Sequence, residues 1–260
     1  ASIRGAKLFR LLLTKFTEPE ELVGPYNPKL LRKGRYVRVY RDKLPDADIA
    51  YLDEPFKASS AIRNYLLDIM LYGRFYDGER YVGTKTKAMY MSANEAPRLV
   101  EDLAFFDRSA VRLFSQHVGW DEVVDVLSTP LVDINDIPKV LDISDIEEGQ
   151  RKVAEIERDI ASNKTVLNVI RDLAKTVREQ SAEPIEISER RLVMIRRLVA
   201  VVSYIYNEEP SEDAATIAVA YGLPSSWETF TATISAINKL FPNSSIAYIE
   251  KINTVKAELR

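Results

Sequence analysis

The sequence predicts an α/β fold, a parallel-sheet core followed by an all-helical domain, and three observations carry that prediction. Short apolar runs of strand length alternate with a capped helix in the first part of the chain. Helical periodicity alone fills residues from about 145 to 240. A segment with Pro130, Pro138 and several aspartates separates the two textures and reads as a linker. The expected organisation is a core over 1–125, a linker over 126–150 and a helical domain over 151–260.

In the core, Ile49–Ala50–Tyr51–Leu52, Lys87–Ala88–Met89–Tyr90–Met91–Ser92 and Ala110–Val111–Arg112–Leu113–Phe114 are each about strand length. Runs this short do not separate strand from helix by periodicity, so their context decides. Between the first two, Ser59 or Ser60 can cap a helix whose Ile62, Leu66, Ile69 and Met70 share one face, and Gly73 stops it. A strand–helix–strand alternation implies parallel strands. Arg74 to Lys87 reads as a hairpin with a type I′ turn at Asp77–Gly78. Farther on, helices are expected over Glu147 to Ile160, Lys164 to Glu179, Ser188 to about Tyr206, Ser211 to Tyr221 and Ser226 to Leu240. Val166, Val169, Ile170 and Leu173 form the inward stripe of the second, and Leu192, Ile195, Val199 and Val202 that of the third.

Composition narrows the chemistry. At 260 residues, 46% apolar and 29% charged, the chain can bury a core in each of two domains. No apolar run approaches the roughly 20 residues that span a bilayer. Leu11–Leu12–Leu13 is too short for a signal peptide, so a cytoplasmic protein is expected. Cysteine is absent, which removes disulfides and thiolate metal sites. The single histidine, His117, lies in the apolar stretch Val111 to Val118 and reads as structural, which argues against a histidine metal centre or a Ser-His-Asp triad. A net charge of −3 argues against a protein that lives on phosphate-backbone contacts.

Four local features carry chemistry. Ile49–Ala50–Tyr51–Leu52–Asp53–Glu54 delivers two carboxylates to the C-terminal end of a strand, where open parallel sheets bind ligands. One carboxylate there can hold a Mg²⁺-bound water while its neighbour orients or deprotonates an attacking water. Ser92–Ala93–Asn94–Glu95 puts an amide at the end of the next strand, within reach of a γ-phosphate. Phe106–Asp107–Arg108, followed by Arg112, offers arginines that can stabilise transition-state charge in a neighbouring subunit. Ser188–Glu189–Arg190–Arg191 opens a helix with two more. Taken singly, these read first as a solvated strand end, a turn asparagine, a surface ion pair and a solvated helix end. Their order carries the information.

Longer segments then point to one family. Leu13–Thr14–Lys15–Phe16–Thr17–Glu18–Pro19–Glu20–Glu21–Leu22–Val23–Gly24–Pro25, Gly34–Arg35–Tyr36–Val37–Arg38 and Leu44–Pro45–Asp46–Ala47 resemble the region before the Walker B strand of MoxR-type AAA+ ATPases. So do Leu52–Asp53–Glu54–Pro55–Phe56–Lys57–Ala58, Ala61–Ile62–Arg63–Asn64–Tyr65–Leu66–Leu67, Arg74–Phe75–Tyr76–Asp77–Gly78, Ser92–Ala93–Asn94–Glu95 and Asp107–Arg108. The resemblance is close over residues 7 to about 114 and looser beyond. It implies an AAA+ nucleotide-binding core, N-terminally incomplete in this chain, with an all-α lid. It implies ATP and Mg²⁺ as cofactors, with Asp53 on the metal, Glu54 activating water and Asn94 as sensor 1. Arg108 would be the finger acting in trans, with Arg112 second. Arg190 would be sensor 2, with Arg191 second. A helix-2 insert over residues 16–44 and a hairpin over 75–87 would face a central pore, with Tyr26, Tyr36 and Tyr81 as candidate grips. The implied assembly is a homo-oligomer, a hexamer, acting on a protein substrate as a chaperone-like machine, with a von Willebrand factor A domain protein as partner.

Two departures stand out. Pro55 occupies a position where the family has Ile or a similar residue, and proline fixes the backbone there. No Gly-x-x-x-x-Gly-Lys-Ser/Thr loop occurs in the chain. The family carries that loop upstream, so it is expected before Ala1. Its absence here supports a rival reading, a non-catalytic AAA+ scaffold or structural protein. A DNA-remodelling AAA+ motor is the other rival, opposed by the acidic balance.

Overall fold

Three parallel strands form the layer on which the first part of the chain is built. The computed structural model describes residues 3–95, 105–115, 123–129, 138, 140–181, 186–249 and 251. Its opening elements are β1 (Ile3–Arg4), β2 (Leu8–Leu12), α1 (Pro19–Val23), α2 (Pro28–Leu31), β3 (Ile49–Asp53), α3 (Ser60–Tyr72), β4 (Arg74–Tyr76), β5 (Tyr81–Gly83) and β6 (Ala88–Ser92). The sheet order is β2-β3-β6, parallel throughout. The strand–helix–strand reading therefore holds, with α3 as the crossover. β2 was not expected. Its Leu8–Phe9–Arg10–Leu11–Leu12 alternates exposed and covered positions, with Phe9 buried and Leu12 exposed. An arginine inside the run hides that alternation from a search for apolar clusters.

α3 forms as its ends dictate. The Ser59 hydroxyl accepts from the Ile62 amide at 3.4 Å, and Gly73 closes the helix in the left-handed region at φ 58°. Its buried face, Ile62, Leu66 and Ile69, packs in one core with Phe9, Leu22, Ala50, Leu52 and Phe75.

The hairpin is present, but its turn is different from the expected one. Tyr76 pairs with Tyr81, so the connection has four residues, not two. Asp77 organises it: its buried carboxylate accepts from the Glu79 and Arg80 amides, both at 2.9 Å. A two-residue I′ turn at Asp77–Gly78 would leave that carboxylate without those donors. Gly78 is required for a second reason. A Cβ there would stand 2.0 Å from the Tyr36 carbonyl oxygen.

That close approach joins two segments that lie far apart in sequence. Arg38 donates its amide to the Asp77 carbonyl at 3.0 Å, and Arg35 grips Glu79 with two hydrogen bonds of 3.2 and 2.9 Å. The buried Arg38 guanidinium donates to the Gly24 carbonyl at 2.7 Å and lies 4.2 Å from the Tyr26 ring centroid. The expected 16–44 insert and the hairpin thus form one body. Within it Tyr26 is a packing partner of Arg38, while Tyr36 and Tyr81 stay exposed.

The chain divides into two units, Ala1–Arg108 with Asn135–Ile146, and Ser109–Ile134 with Glu147–Arg260. The expected linker over 126–150 is therefore shared out. It includes the end of α4 (Val123–Ser128), then β7 (Leu141–Asp142), which pairs in parallel with β1, then the start of α5 (Ile143–Ile160). Ala110 to Phe114 is not a strand. Its Arg112 amide donates to the Tyr221 carbonyl at 2.9 Å, so the run is tied to the helical unit. His117 and Pro130 lie outside the described residues.

In the second unit α5 is followed by α6 (Lys164–Gln180), α7 (Glu189–Tyr206), α8 (Glu212–Gly222) and α9 (Trp227–Leu240). Ser188, Ser211 and Ser226 cap the last three, each accepting a backbone amide three residues on. Their apolar stripes meet in a single core containing Val166, Leu173, Ile195, Val199, Val219 and Ile237. Among the described residues no helix is long and apolar enough to cross a membrane.

A charge cluster pins the N-terminal end of the sheet. Asp46 bonds Lys7 at 2.6 Å and Lys85 at 2.8 Å, and Asp48 accepts the Lys7 amide at 2.8 Å. The hydrogen bonds from Lys7, then from Lys85 and the Asp42 amide, hold the Asp46 carboxyl far below the usual carboxylate range. A depressed carboxyl stabilises the fold above its unfolded-state pKa, near 4, and that contribution is lost as pH falls below it. The thermal midpoint is therefore expected to drop as pH is lowered from about 5 to 2. Asp46→Asn should lower it at pH 7 and flatten that acid slope. Calorimetry across the pH range checks both.

Candidate functional site

Strand β3 ends by presenting Asp53 and Glu54 at the carboxyl end of the sheet. Register places Asp53 opposite Ser92 of β6 and Leu12 of β2. The Ser92 hydroxyl donates to Asp53 Oδ1 at 2.6 Å and bonds the Tyr51 hydroxyl at 2.7 Å. Tyr51 lies two residues before Asp53, on the same face of β3, and the Arg10 guanidinium sits 5.6 Å from its ring centroid. The half-buried Asp53 carboxylate is thus held by a hydroxyl of the neighbouring strand β6, which Tyr51 of its own strand steadies. Sequence reading passed over Tyr51. Its position two residues before an acidic strand end was the available signal.

Glu54 is 7% exposed and adopts φ 55°, ψ 50°, the left-handed region, without being glycine. That conformation costs roughly 1–2 kcal/mol in an L-residue. Its amide donates to the Ser92 carbonyl at 2.8 Å, which extends the β3–β6 pairing by one residue. Pro55 then opens a 3₁₀ turn, Pro55–Lys57. Lys57 Nζ lies 3.4 Å from Glu54 Oε1. The proline departure thus coincides with a strained backbone at the second carboxylate, and such strain clusters where function holds it.

Asn94 is exposed and two residues beyond Ser92. Two residues span at most about 7 Å, so Asn94 belongs to the same rim as Asp53 and Glu54. Thr14, Lys15, Phe16 and Lys57 line an open hollow at that rim, just past the ends of β2 and β3. Arg108 is carried differently. Phe105 and Phe106 meet Phe56 at 6.2 and 5.9 Å between ring centroids, and the half-buried Arg108 follows on that anchor.

The remaining arginines belong to the helical unit. Arg112 donates to the Pro224 carbonyl at 2.8 Å. Arg191, 2% exposed, donates to the Ser109 and Ala110 carbonyls. Both side chains are committed to backbone oxygens. Arg190, one residue earlier on the same helix, is exposed.

The Asp53 carboxylate and the Ser92 hydroxyl are oxygen donors of the kind Mg²⁺ accepts. Among the described residues no group of three His, Cys, Asp or Glu could enclose a metal.

Comparisons with known proteins bear on the family and the fold. Residues 1–145 match the model of the MoxR domain found in MoxR–vWA–beta-propeller ternary systems. Two uncharacterized proteins of Methanocaldococcus jannaschii are 32% and 30% identical to this chain, each over 82% of it. The chain spans about half the length of these relatives, 55% and 54%. A structural protein of Acidianus two-tailed virus is 25% identical over 63% of this chain and 28% of its own length. Among solved structures, a candidate ATPase from Cytophaga hutchinsonii superposes with a TM-score of 0.67 over 92% of this chain and 78% of its own, at 13% identity.

The two adjacent arginines give a discriminating test. Arg191→Ala should destabilise the helical unit by roughly 2–3 kcal/mol, because two carbonyls lose a buried charged donor. Arg190→Ala should change stability by less than about 0.5 kcal/mol, as exposed substitutions do. Denaturant titration of both variants checks the contrast.

Proposed function

The chain belongs to the MoxR family of AAA+ ATPases, and on that premise we propose that it forms part of an ATP-hydrolysing machine that remodels or assembles a protein partner. The observation that carries this reading is the common rim: Asp53, Glu54 and Asn94 stand together at the carboxyl end of a parallel sheet, with Asp53 oriented by Ser92. Phosphoryl transfer to water needs positioning and charge stabilisation more than covalent chemistry.

In this reading Asp53 and Ser92 would hold the Mg²⁺ that accompanies ATP, and that ion would supply neutralisation of phosphate charge. Glu54 takes the proton of the attacking water, or orients that water, from a backbone fixed by Pro55 and the Ser92 carbonyl. Asn94 donates its amide to the water or the γ-phosphate. Arg108 acts in trans across a ring of identical subunits, a hexamer, and Arg190 is the lid residue that meets phosphate. Arg112 and Arg191 serve as tethers, since their guanidinium groups already hold carbonyls. The family's ternary systems suggest a partner bearing a von Willebrand factor A domain. Of the three candidate grips, Tyr36 and Tyr81 are exposed and can reach a substrate.

A second reading has its own support. The viral relative is named a structural protein. A non-catalytic AAA+ scaffold would account for that name.

ATP turnover by the full-length protein separates the two. Under the enzyme reading Glu54→Gln lowers kcat by about 10²–10⁴-fold, the range that general-base catalysis contributes, and leaves ATP binding intact. Equal turnover in wild type and variant, or none in either, would defeat that reading. Ser92→Ala should give a smaller loss, on the order of tenfold, because it frees the Asp53 carboxylate to rotate while keeping its charge.

A further inference from the structure

The helical unit holds a polar cavity that the nucleotide reading does not use. It measures about 130 Å³ and lies between the C-terminal end of α7 and the start of α8. Ser203, Glu208 and Asp213 supply its polar lining, and Val202 and Ile217 part of its apolar wall.

Three features define what the cavity accepts. First, the Ser203 hydroxyl is buried, with the residue 1% exposed, and forms no hydrogen bond. Buried hydroxyls are nearly always bonded, so this one keeps bonding capacity for a group that enters the cavity. Second, the Asp213 carboxylate is held as an acceptor. Its two oxygens take the Ser245 amide at 2.7 Å and the Ser245 hydroxyl at 2.6 Å. Each oxygen keeps a further lone pair. Third, among the described residues no lysine or arginine lines the cavity. The lining thus combines two acidic groups with a hydroxyl that can accept.

We propose that this cavity anchors a lysine side chain of a partner protein, through an ammonium held by Asp213, Glu208 and the Ser203 hydroxyl. An ammonium has three donors, one for each of these groups. Its four-carbon stem runs along Val202 and Ile217, as long cationic side chains do on apolar surface. A guanidinium is a flat fork that favours a single carboxylate met edge-on, so lysine suits this divided lining better. The occupant is a polypeptide and not a free amine because exposed apolar side chains flank the cavity. Tyr206 lines it at 63% exposure, and Ile205, next to it on the helix, is 68% exposed. Tyr206 offers a footing for a residue beside an inserted lysine. The proposal concerns the helical unit alone and stands whether or not ATP is hydrolysed.

Titration of the full chain with the peptide acetyl-Ala-Lys-Ala-amide, followed by backbone amide NMR, tests it. The expected result is saturable shifts at Ser203, Glu208 and Ser245, with binding weakened by added salt. The norleucine analogue, which keeps the stem and lacks the charge, should bind at least about tenfold more weakly. Glu208→Gln and Ser203→Ala should each weaken the lysine peptide by roughly threefold or more. Both variants leave the Asp213–Ser245 bonds intact, and a wild-type-like spectrum confirms their folding. Equal binding by the norleucine peptide, unchanged binding in both variants, or shifts centred elsewhere would overturn the proposal. Butylamine binding as tightly as the peptide would assign the cavity to free amines and overturn the polypeptide part.

Discussion

The pairing of β3 with β6 is the constraint on which the candidate site depends. Parallel register sets Asp53 against Ser92, and from that one alignment three contacts follow: a hydroxyl to the Asp53 carboxylate, a tyrosine hydroxyl to the same serine, and the Glu54 amide to the Ser92 carbonyl. A slip of one residue would turn Asp53 into the core face and dissolve all three. The apolar core between the sheet and α3 forbids that slip, since Ala50 and Leu52 would then face outward. The chemistry at the rim is therefore fixed by packing at a distance from it.

A second principle runs through both units. Charged side chains with no part in the proposed chemistry are used as tethers. Arg38 binds the Gly24 carbonyl and stacks on Tyr26, Arg35 clamps Glu79, and Arg112 and Arg191 secure separate stretches of the helical unit. Guanidinium groups suit this work because they present several donors in a rigid plane and remain charged when buried. Buried arginines such as Arg38 and Arg191 thus belong with the structure, and exposed ones such as Arg190 remain available for a ligand.

Much of the architecture was legible because it is encoded locally. Ser59, Ser188, Ser211 and Ser226 each cap the helix that follows, and Gly73 ends α3 by taking a left-handed conformation. The acidic pair at the end of an apolar run, and the asparagine about 40 residues later, were visible as a pattern. Other features were not. The alternation of β2 is blurred by Arg10, Ala110 to Phe114 has strand composition yet docks on helices, and Asp77 draws the hairpin into a four-residue turn.

Sequence alone determined the strand–helix–strand unit of the parallel core, the helical second part and the residues put forward for phosphate chemistry, because caps, turns and hydrophobic periods act over a few residues. Tertiary structure decided which neighbours those residues keep. It bound Ser92 to Asp53, strained Glu54 against Pro55, fused the 16–44 insert to the hairpin, and buried Arg191 while exposing Arg190. Such contacts join positions tens of residues apart, and only the folded chain brings them within bonding distance.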